Sequence, residues 1–303
     1  MAGRLASWVD FGLRTFLLGE RRPYLFGIEV SDKCNLDCFY CEGKNKGRYQ
    51  FNYEQACETL VQAYKRGHRA LYFTGGEPMI WDDGPRRLAD LVGHAKAIGF
   101  NDIYVYTNGT RPLDIESCKY IVTIDGPREV HNKIRSDTYD QVLDNVRTAV
   151  TRDVFASITI TKANYRHLER YVQDITATKL FRGITFNLVT HWPEIVARYG
   201  FTGAARQHVL DHMWRLKRQG YPVLLSKAAY NALRNNDWRR PIRQIELCLA
   251  PHEIYTCCRD VTNREVCNSC GYVNCAEISQ ILAWKPSAIW QAVRIVGGRE
   301  SKT

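Results

Sequence analysis

Long apolar runs are missing from this sequence. No stretch approaches the roughly 18 consecutive apolar residues that a membrane-spanning helix needs, so no helical span is expected. The first residues hold no long apolar stretch with a small-residue cleavage site, and no secretory signal is expected. Internal repeats and low-complexity segments are absent too. Acidic residues are in deficit: 32 Asp and Glu stand against 42 Lys and Arg, for a net charge of +10. That excess reads either as a solvated basic surface or as a face for an anionic partner. The partner would be a phosphorylated small molecule, a nucleic acid, an acidic membrane surface or an acidic redox protein. A paired set of cysteines is also lacking. The total is 11, and an odd number argues against a complete disulfide framework. Reduced thiols in a chain read as cytoplasmic suit metal or cluster ligation better.

The chain has 303 residues, 45% of them hydrophobic, which is ample for a sizeable core. Residues 4–18 carry apolar positions at helical spacing, with Arg4 and Arg14 off that face. From residue 24 strands and helices alternate. Strands are expected at 24–30, 70–74, 102–107, 119–125, 156–161 and 183–189, and helices at 53–66, 85–98, 138–151 and 164–178. Strands separated by helices of this length indicate βαβ units and a parallel sheet. Six units point to an α/β fold, an open, partial (β/α)6 TIM-like barrel, with ligands at the C-terminal strand ends. The expected organisation is an N-terminal helix (1–23), the barrel (24–192), a basic helical linking region (193–245) and a cysteine-rich region (246–303) with a short helix near 286–295.

Cys34, Cys38 and Cys41 follow the first strand at CxxxCxxC spacing. Three thiolates on one short loop can converge on one metal centre, either a cluster or a zinc completed from elsewhere. A three-thiolate cluster leaves one iron open to a substrate or cosubstrate. TGGEP (74–78) follows the second strand, TNG (107–109) ends the third, and IDG (124–126) ends the fourth. Glu129, His131 and Arg135 come next, and TKAN (161–164) follows the fifth strand. Singly these are ordinary strand ends, and His131 reads as a surface or capping residue. Together, in this order and with Tyr40 before the last cysteine, they resemble the radical S-adenosylmethionine (SAM) enzymes over roughly residues 24–190. Thr123 stands where that family often has Ser and keeps the hydroxyl.

The resemblance implies that Cys34, Cys38 and Cys41 hold a [4Fe-4S] cluster whose open iron is chelated by SAM. It implies SAM contacts from Tyr40, Gly75, Gly76, Glu77, Asn108, Asp125, Arg135, Thr161 and Asn187. Glu77 would take the methionyl ammonium, Asp125 would lie near the ribose, Arg135 would pair with the SAM carboxylate, and Asn187 would border the adenine. Reductive cleavage of SAM would then give a 5′-deoxyadenosyl radical that abstracts hydrogen from, or adds to, a substrate. A flavodoxin- or ferredoxin-type protein would donate the electron.

Six further cysteines lie between Cys248 and Cys275. Their order resembles the SPASM and twitch auxiliary-cluster extensions of the same enzymes, and more weakly the C-terminus of those acting on hopanoid lipids. One auxiliary [4Fe-4S] cluster would take Cys248, Cys267, Cys270 and Cys275, with Cys258 or Cys257 competing for a place. Zinc, or free thiols, are the other readings. Cys118, Tyr255 and Cys257 are candidate hydrogen donors. The expected substrate is a small, anionic or lipid-linked biosynthetic intermediate. The rivals are a peptide-modifying enzyme of SPASM type, an RNA-modifying enzyme, and a non-enzymatic zinc or iron–sulfur module for nucleic acid.

Overall fold

The computed structural model describes residues 13, 14, 23–41, 44, 45, 47–190, 192–241, 243–251, 253–258 and 262–296. Of the helix expected at 4–18, all but residues 13 and 14 lie outside the described residues. The chain divides into two compact units, each discontinuous in sequence. The first comprises residues 1–122, 140–153 and 242–261; the second comprises 123–139, 154–241 and 262–303.

In the first unit β1 (Leu25–Glu29) pairs in parallel with β2 (Ala70–Thr74), β2 with β5 (Asp102–Thr107), and β5 with β6 (Lys119–Thr123). These are fully buried parallel strands, and their near-continuous apolar runs fit that role. Phe26, Ile28, Leu71, Phe73 and Val105 are wholly inaccessible. Helix α1 (Tyr53–Arg66) returns the chain from β1 to β2. Its start is written in the sequence as a capping box: Asn52 accepts from the Gln55 N–H while Gln55 reaches back to the Asn52 N–H. Gly67, at φ 115°, ends it in the left-handed region. Helix α2 (Leu88–Ile98) begins three residues later than its periodicity suggests. Residues 82–83 and 86–87 form a small hairpin, β3–β4, in place of the first helical turn.

At the N-terminal strand ends, Lys119 Nζ meets Asp102 Oδ1 at 2.8 Å, and the Tyr104 hydroxyl donates to Asp102 Oδ2 at 2.8 Å. Lys119 and Asp102 are buried together and Tyr104 is half-buried beside them, so the two charges pair where water is largely excluded.

Two further strands were not anticipated. Residues 245–250, which straddle the expected boundary between the linking and cysteine-rich regions, form β9 (Ile245–Ala250), which lies parallel to β1 with Cys248 opposite Ile28. Strand β10 (Glu253–Thr256) folds back on it antiparallel. Arg66 at the end of α1 reaches Glu246 on β9 at 2.9 Å.

The second unit carries α3 (Arg128–Arg135), the parallel pair β7 (Val154–Ile160) and β8 (Ile184–Leu188), and α5 (Leu168–Thr178) between them. Helix α4 (Tyr139–Arg147) begins at the boundary of the units and lies largely in the first. The basic segment carries α6 (Pro193–Tyr199), α7 (Gly203–Arg218) and α8 (Lys227–Asn235). The cysteine-rich end forms α9 (Arg264–Asn268), α10 (Val273–Leu282) and α11 (Pro286–Val296). Among the described residues no helix is long and apolar enough to cross a membrane.

Candidate functional site

Every motif singled out in residues 24–190 lies at or just beyond the C-terminal end of a strand. In the first unit the cysteine loop leaves β1 and is fastened to its neighbours by polar side chains. Asn45 receives the Cys34 N–H at 2.8 Å and donates to the Cys34 carbonyl at 3.0 Å. Lys44 Nζ donates to the carbonyls of Cys38 and Cys41 at 2.5 and 3.1 Å. Asn35, inside the motif, donates to Thr110 Oγ1 at 2.8 Å and accepts from Asn108 Nδ2 at 2.9 Å. The loop after β1 and the loop after β5 are thereby locked together. None of Asn35, Lys44, Asn45 and Thr110 was singled out from the sequence, because each acts through a loop conformation that spacing along the chain does not reveal.

The two glycines of TGGEP touch the cysteine loop directly. A Cβ on Gly76 would stand 2.1 Å from the Lys33 carbonyl oxygen, and one on Gly75 2.3 Å from that of Ser31. Only glycine permits this approach, and Gly75 also needs its φ of 143°. The Gly76 and Glu77 N–H groups donate across the contact to Ser31 O and Lys33 O. Glu77 is 1% exposed, and its carboxylate accepts from Thr107 Oγ1 (2.7 Å), the Asn108 N–H (2.6 Å) and the Met79 N–H (3.0 Å). Tyr40 is buried edge-on against Phe39.

In the second unit Asp125 is the hub. It is fully buried, with Arg135 Nε donating to Oδ2 at 2.6 Å and the Thr159 N–H to Oδ1 at 3.1 Å. Its carbonyl accepts from Asn164 Nδ2 at 3.0 Å. Asn164 also caps the Thr161 N–H at 2.8 Å, so IDG and TKAN share one network. Arg135, expected opposite a SAM carboxylate, is ion-paired with Asp125 within the chain. Asn187 accepts from the Val273 N–H at 3.1 Å, which ties β8 to the cysteine-rich end.

His131 corrects the sequence reading. It is neither a surface residue nor a cap but is wholly buried. Nδ1 accepts the Asp125 N–H at 3.2 Å, so Nε2 carries the proton and faces Thr138 Oγ1 at 3.1 Å. Burial first, then the Arg135 charge, lowers its pKa to about 4 against the nearby Asp125. The unfolded chain therefore binds a proton here that the folded chain refuses. Stability is complete above about pH 6.5 and falls as pH drops towards 4. The expected loss is on the order of 2–3 kcal/mol. Thermal melting from pH 7 to 4.5 checks it: wild type should lose more than H131Q, and equal losses would reject the assignment.

The remaining candidates are placed as follows. Burial pushes the Cys34 thiol up to about 11 against the Leu36 N–H, which favours its thiolate. Cys248 points into the core of β9, donates to the Ala250 carbonyl at 3.2 Å, and is likewise raised by burial to about 11. Cys118 is a buried thiol raised by desolvation to about 12 and hydrogen-bonded to Ile115 O. The Tyr255 hydroxyl donates to Glu253. Cys248, Cys257 and Cys258 belong to the first unit, and Cys267, Cys270 and Cys275 to the second. Among the described residues no three His, Cys, Asp or Glu side chains are gathered as a metal site. The donor set nevertheless fits an iron–sulfur group. Three thiols share one short loop whose backbone is clamped at Cys34, Cys38 and Cys41, and the one carboxylate within the motif, Asp37, is ion-paired with Lys44 at 2.9 Å.

Comparison with known proteins adds the following. The chain is 27% identical over 153 residues to a probable GTP 3′,8-cyclase of Methanothermobacter marburgensis, covering 48% of this chain and 49% of that protein. It is 34% identical over 95 residues to the GTP 3′,8-cyclase of Clostridium acetobutylicum, covering 30% and 29%. The chain thus spans about half, or less, of the length of these curated relatives. Among solved structures it resembles SuiB of Streptococcus suis bound to its precursor peptide SuiA. The TM-score is 0.60 at 10% identity, over 82% of this chain and 62% of that one. That likeness is one of fold, and it agrees with the α/β, partial-barrel class expected. Residues 28–175, which carry every motif from Cys34 to Asn164, match the model of the Radical SAM superfamily, and this match together with the curated relatives supports a radical SAM superfamily enzyme.

Proposed function

We propose that this radical SAM enzyme acts on a small phosphate-bearing molecule, nucleotide-like in its anionic group. The observation that carries the reading is that the curated relatives are named for a reaction of GTP, a triphosphate. The net charge of +10 and the basic helices between residues 193 and 245 favour the same substrate class. When bound, a [4Fe-4S] cluster with SAM supplies one-electron chemistry that yields a carbon-centred radical.

The chain's own residues hold and orient. Cys34, Cys38 and Cys41 would ligate the cluster, on a loop that Lys44, Asn45 and Asn35 fix from three sides. Glu77 would receive the ammonium of SAM, its carboxylate aimed by Thr107 and Asn108. Asp125 keeps Arg135 in place, and Gly75 and Gly76 let the SAM-binding segment lie against the cluster loop. Cys267, Cys270 and Cys275 would supply ligands to an auxiliary [4Fe-4S] cluster. A flavodoxin- or ferredoxin-type donor and a cytoplasmic location complete the reading.

The test is anaerobic: reconstitute the full chain with iron and sulfide, add SAM and dithionite, and measure 5′-deoxyadenosine. Nucleoside triphosphates, nucleoside diphosphates and an isoprenoid diphosphate are added one at a time. At least one should stimulate cleavage and be consumed. If none does while a peptide substrate does, the phosphate reading is wrong and a peptide-modifying role replaces it.

A further inference from the structure

In the second unit the turn from Cys267 to Cys270 is wrapped in positive charge. Arg206, from the first turn of α7, donates through Nη2 to the Cys270 carbonyl at 2.9 Å and through Nη1 to Leu233 O. Arg240, five residues beyond the end of α8, donates through Nη2 to the Cys267 carbonyl. Asn236, which ends α8, donates to the Asn268 carbonyl and is itself held by Arg240 at 2.9 Å. Three side chains from outside the cysteine-rich segment thus take three carbonyls of one four-residue turn. Thr190 Oγ1 adds a fourth tie by accepting the Gly271 N–H at 2.9 Å.

Simple anchoring does not explain this choice of residues. Arg206 is only 6% exposed, and burial together with the neighbouring Arg240 charge disfavours its cationic form. Among the described residues neither guanidinium has a carboxylate partner; each bonds only to carbonyls and an amide. The Nε–H of Arg206, the Nε–H of Arg240 and the indole N–H of Trp238 are all buried without a hydrogen-bond partner. The Arg240 guanidinium stacks 3.9 Å from the Trp238 ring centroid, so these donors belong to one neighbourhood. Buried cations without counter-charge are strongly unfavourable, and buried donors without acceptors are costly as well. Both penalties are relieved if the turn carries a negatively charged, sulfur-rich group.

We infer that Arg206 and Arg240 are positioning residues for a thiolate-bound iron–sulfur group on the Cys267–Cys270 turn, and that their charge and unpartnered N–H groups raise its reduction potential. The inference rests on the auxiliary-cluster reading above. Net charge and hydrogen bonds to the sulfurs are the levers by which a protein sets such a potential. Removing a guanidinium removes both, so the reduced, more negative state loses stabilisation. Asn236 holds the turn without charge, so it should affect loading but not potential.

The experiment uses the full chain with Cys34, Cys38 and Cys41 replaced by alanine, so that any iron retained belongs to the second group. After anaerobic reconstitution, iron is counted and the midpoint potential is read by redox titration followed by electron paramagnetic resonance. The parent should hold about four irons. R206Q and R240Q should shift the potential to more negative values, R206K and R240K should restore most of the shift, and N236A should leave the potential unchanged. Arg240 is the less buried of the two, so R240Q carries the test if R206Q does not fold. Four irons in every variant with an unmoved potential overturns the inference while leaving the auxiliary cluster in place. A parent that binds no iron, or only zinc, overturns the auxiliary cluster and this inference with it.

Discussion

Replacing Cys38 with alanine is expected to leave the chain folded and to remove SAM cleavage altogether. The thiol is 5% exposed, and its loss deletes one small buried side chain, which costs the fold little beside a large core. The backbone of the loop stays in place, because Lys44 bonds the Cys38 and Cys41 carbonyls and Asn45 brackets Cys34. What disappears is a ligand. Two thiolates do not hold a cubane cluster that needs three protein ligands and one open iron. Reconstituted C38A should therefore bind about four irons fewer than wild type and form no 5′-deoxyadenosine. Its melting temperature should stay close to wild type. Full activity in C38A would remove the CxxxCxxC loop from the chemistry. A collapse in melting temperature would make its role one of packing.

The largest effect on stability is expected at Asp125. In D125N the side chain keeps its size, but Arg135 becomes a buried cation facing a neutral amide. Both partners are nearly inaccessible, with side chains 0% and 9% exposed, so water cannot replace the lost charge. Breaking one side of such a pair typically costs about 3–5 kcal/mol. In a chain of this size that lowers the melting temperature by about 10 °C or more. Asp125 also accepts the Thr159 N–H, and an amide nitrogen turned that way would leave the donor unpaired. The double variant D125N/R135M, which removes the orphaned cation, should recover much of the loss. Thermal melting of wild type, single and double variants decides the matter. A small effect of D125N, or no recovery in the double variant, would mean that Asp125 is held for ligand binding and not for the fold.

Much of this was legible along the chain, and the reason is locality. The capping box at Asn52 and Gln55, the Gly67 stop, and the apolar runs at 70–74 and 102–107 each act within a few residues. Their elements accordingly fall where the pattern places them. The motif order was legible for a related reason, since a parallel α/β chain brings successive strand ends to one face. Where the packing of a whole loop around a side chain decides, the reading failed. His131 looks like a polar residue on an amphipathic helix until the Asp125 N–H and Thr138 are seen to enclose it.

The sequence by itself determined the likeness to the Radical SAM superfamily, the alternation of strands and helices, and the three cysteines that follow β1. Only the tertiary structure decided that residues 245–250 are a strand beside β1, because a short apolar run with one cysteine becomes a strand when an open edge accepts it. It also decided that Arg135 pairs with Asp125, and that Arg206 and Arg240 close on a turn 64 and 27 residues away. Such pairings follow from which surfaces meet when the core forms. Charge and spacing along the chain carry no record of that meeting, because a buried ion pair is chosen by distance in space and by the exclusion of water.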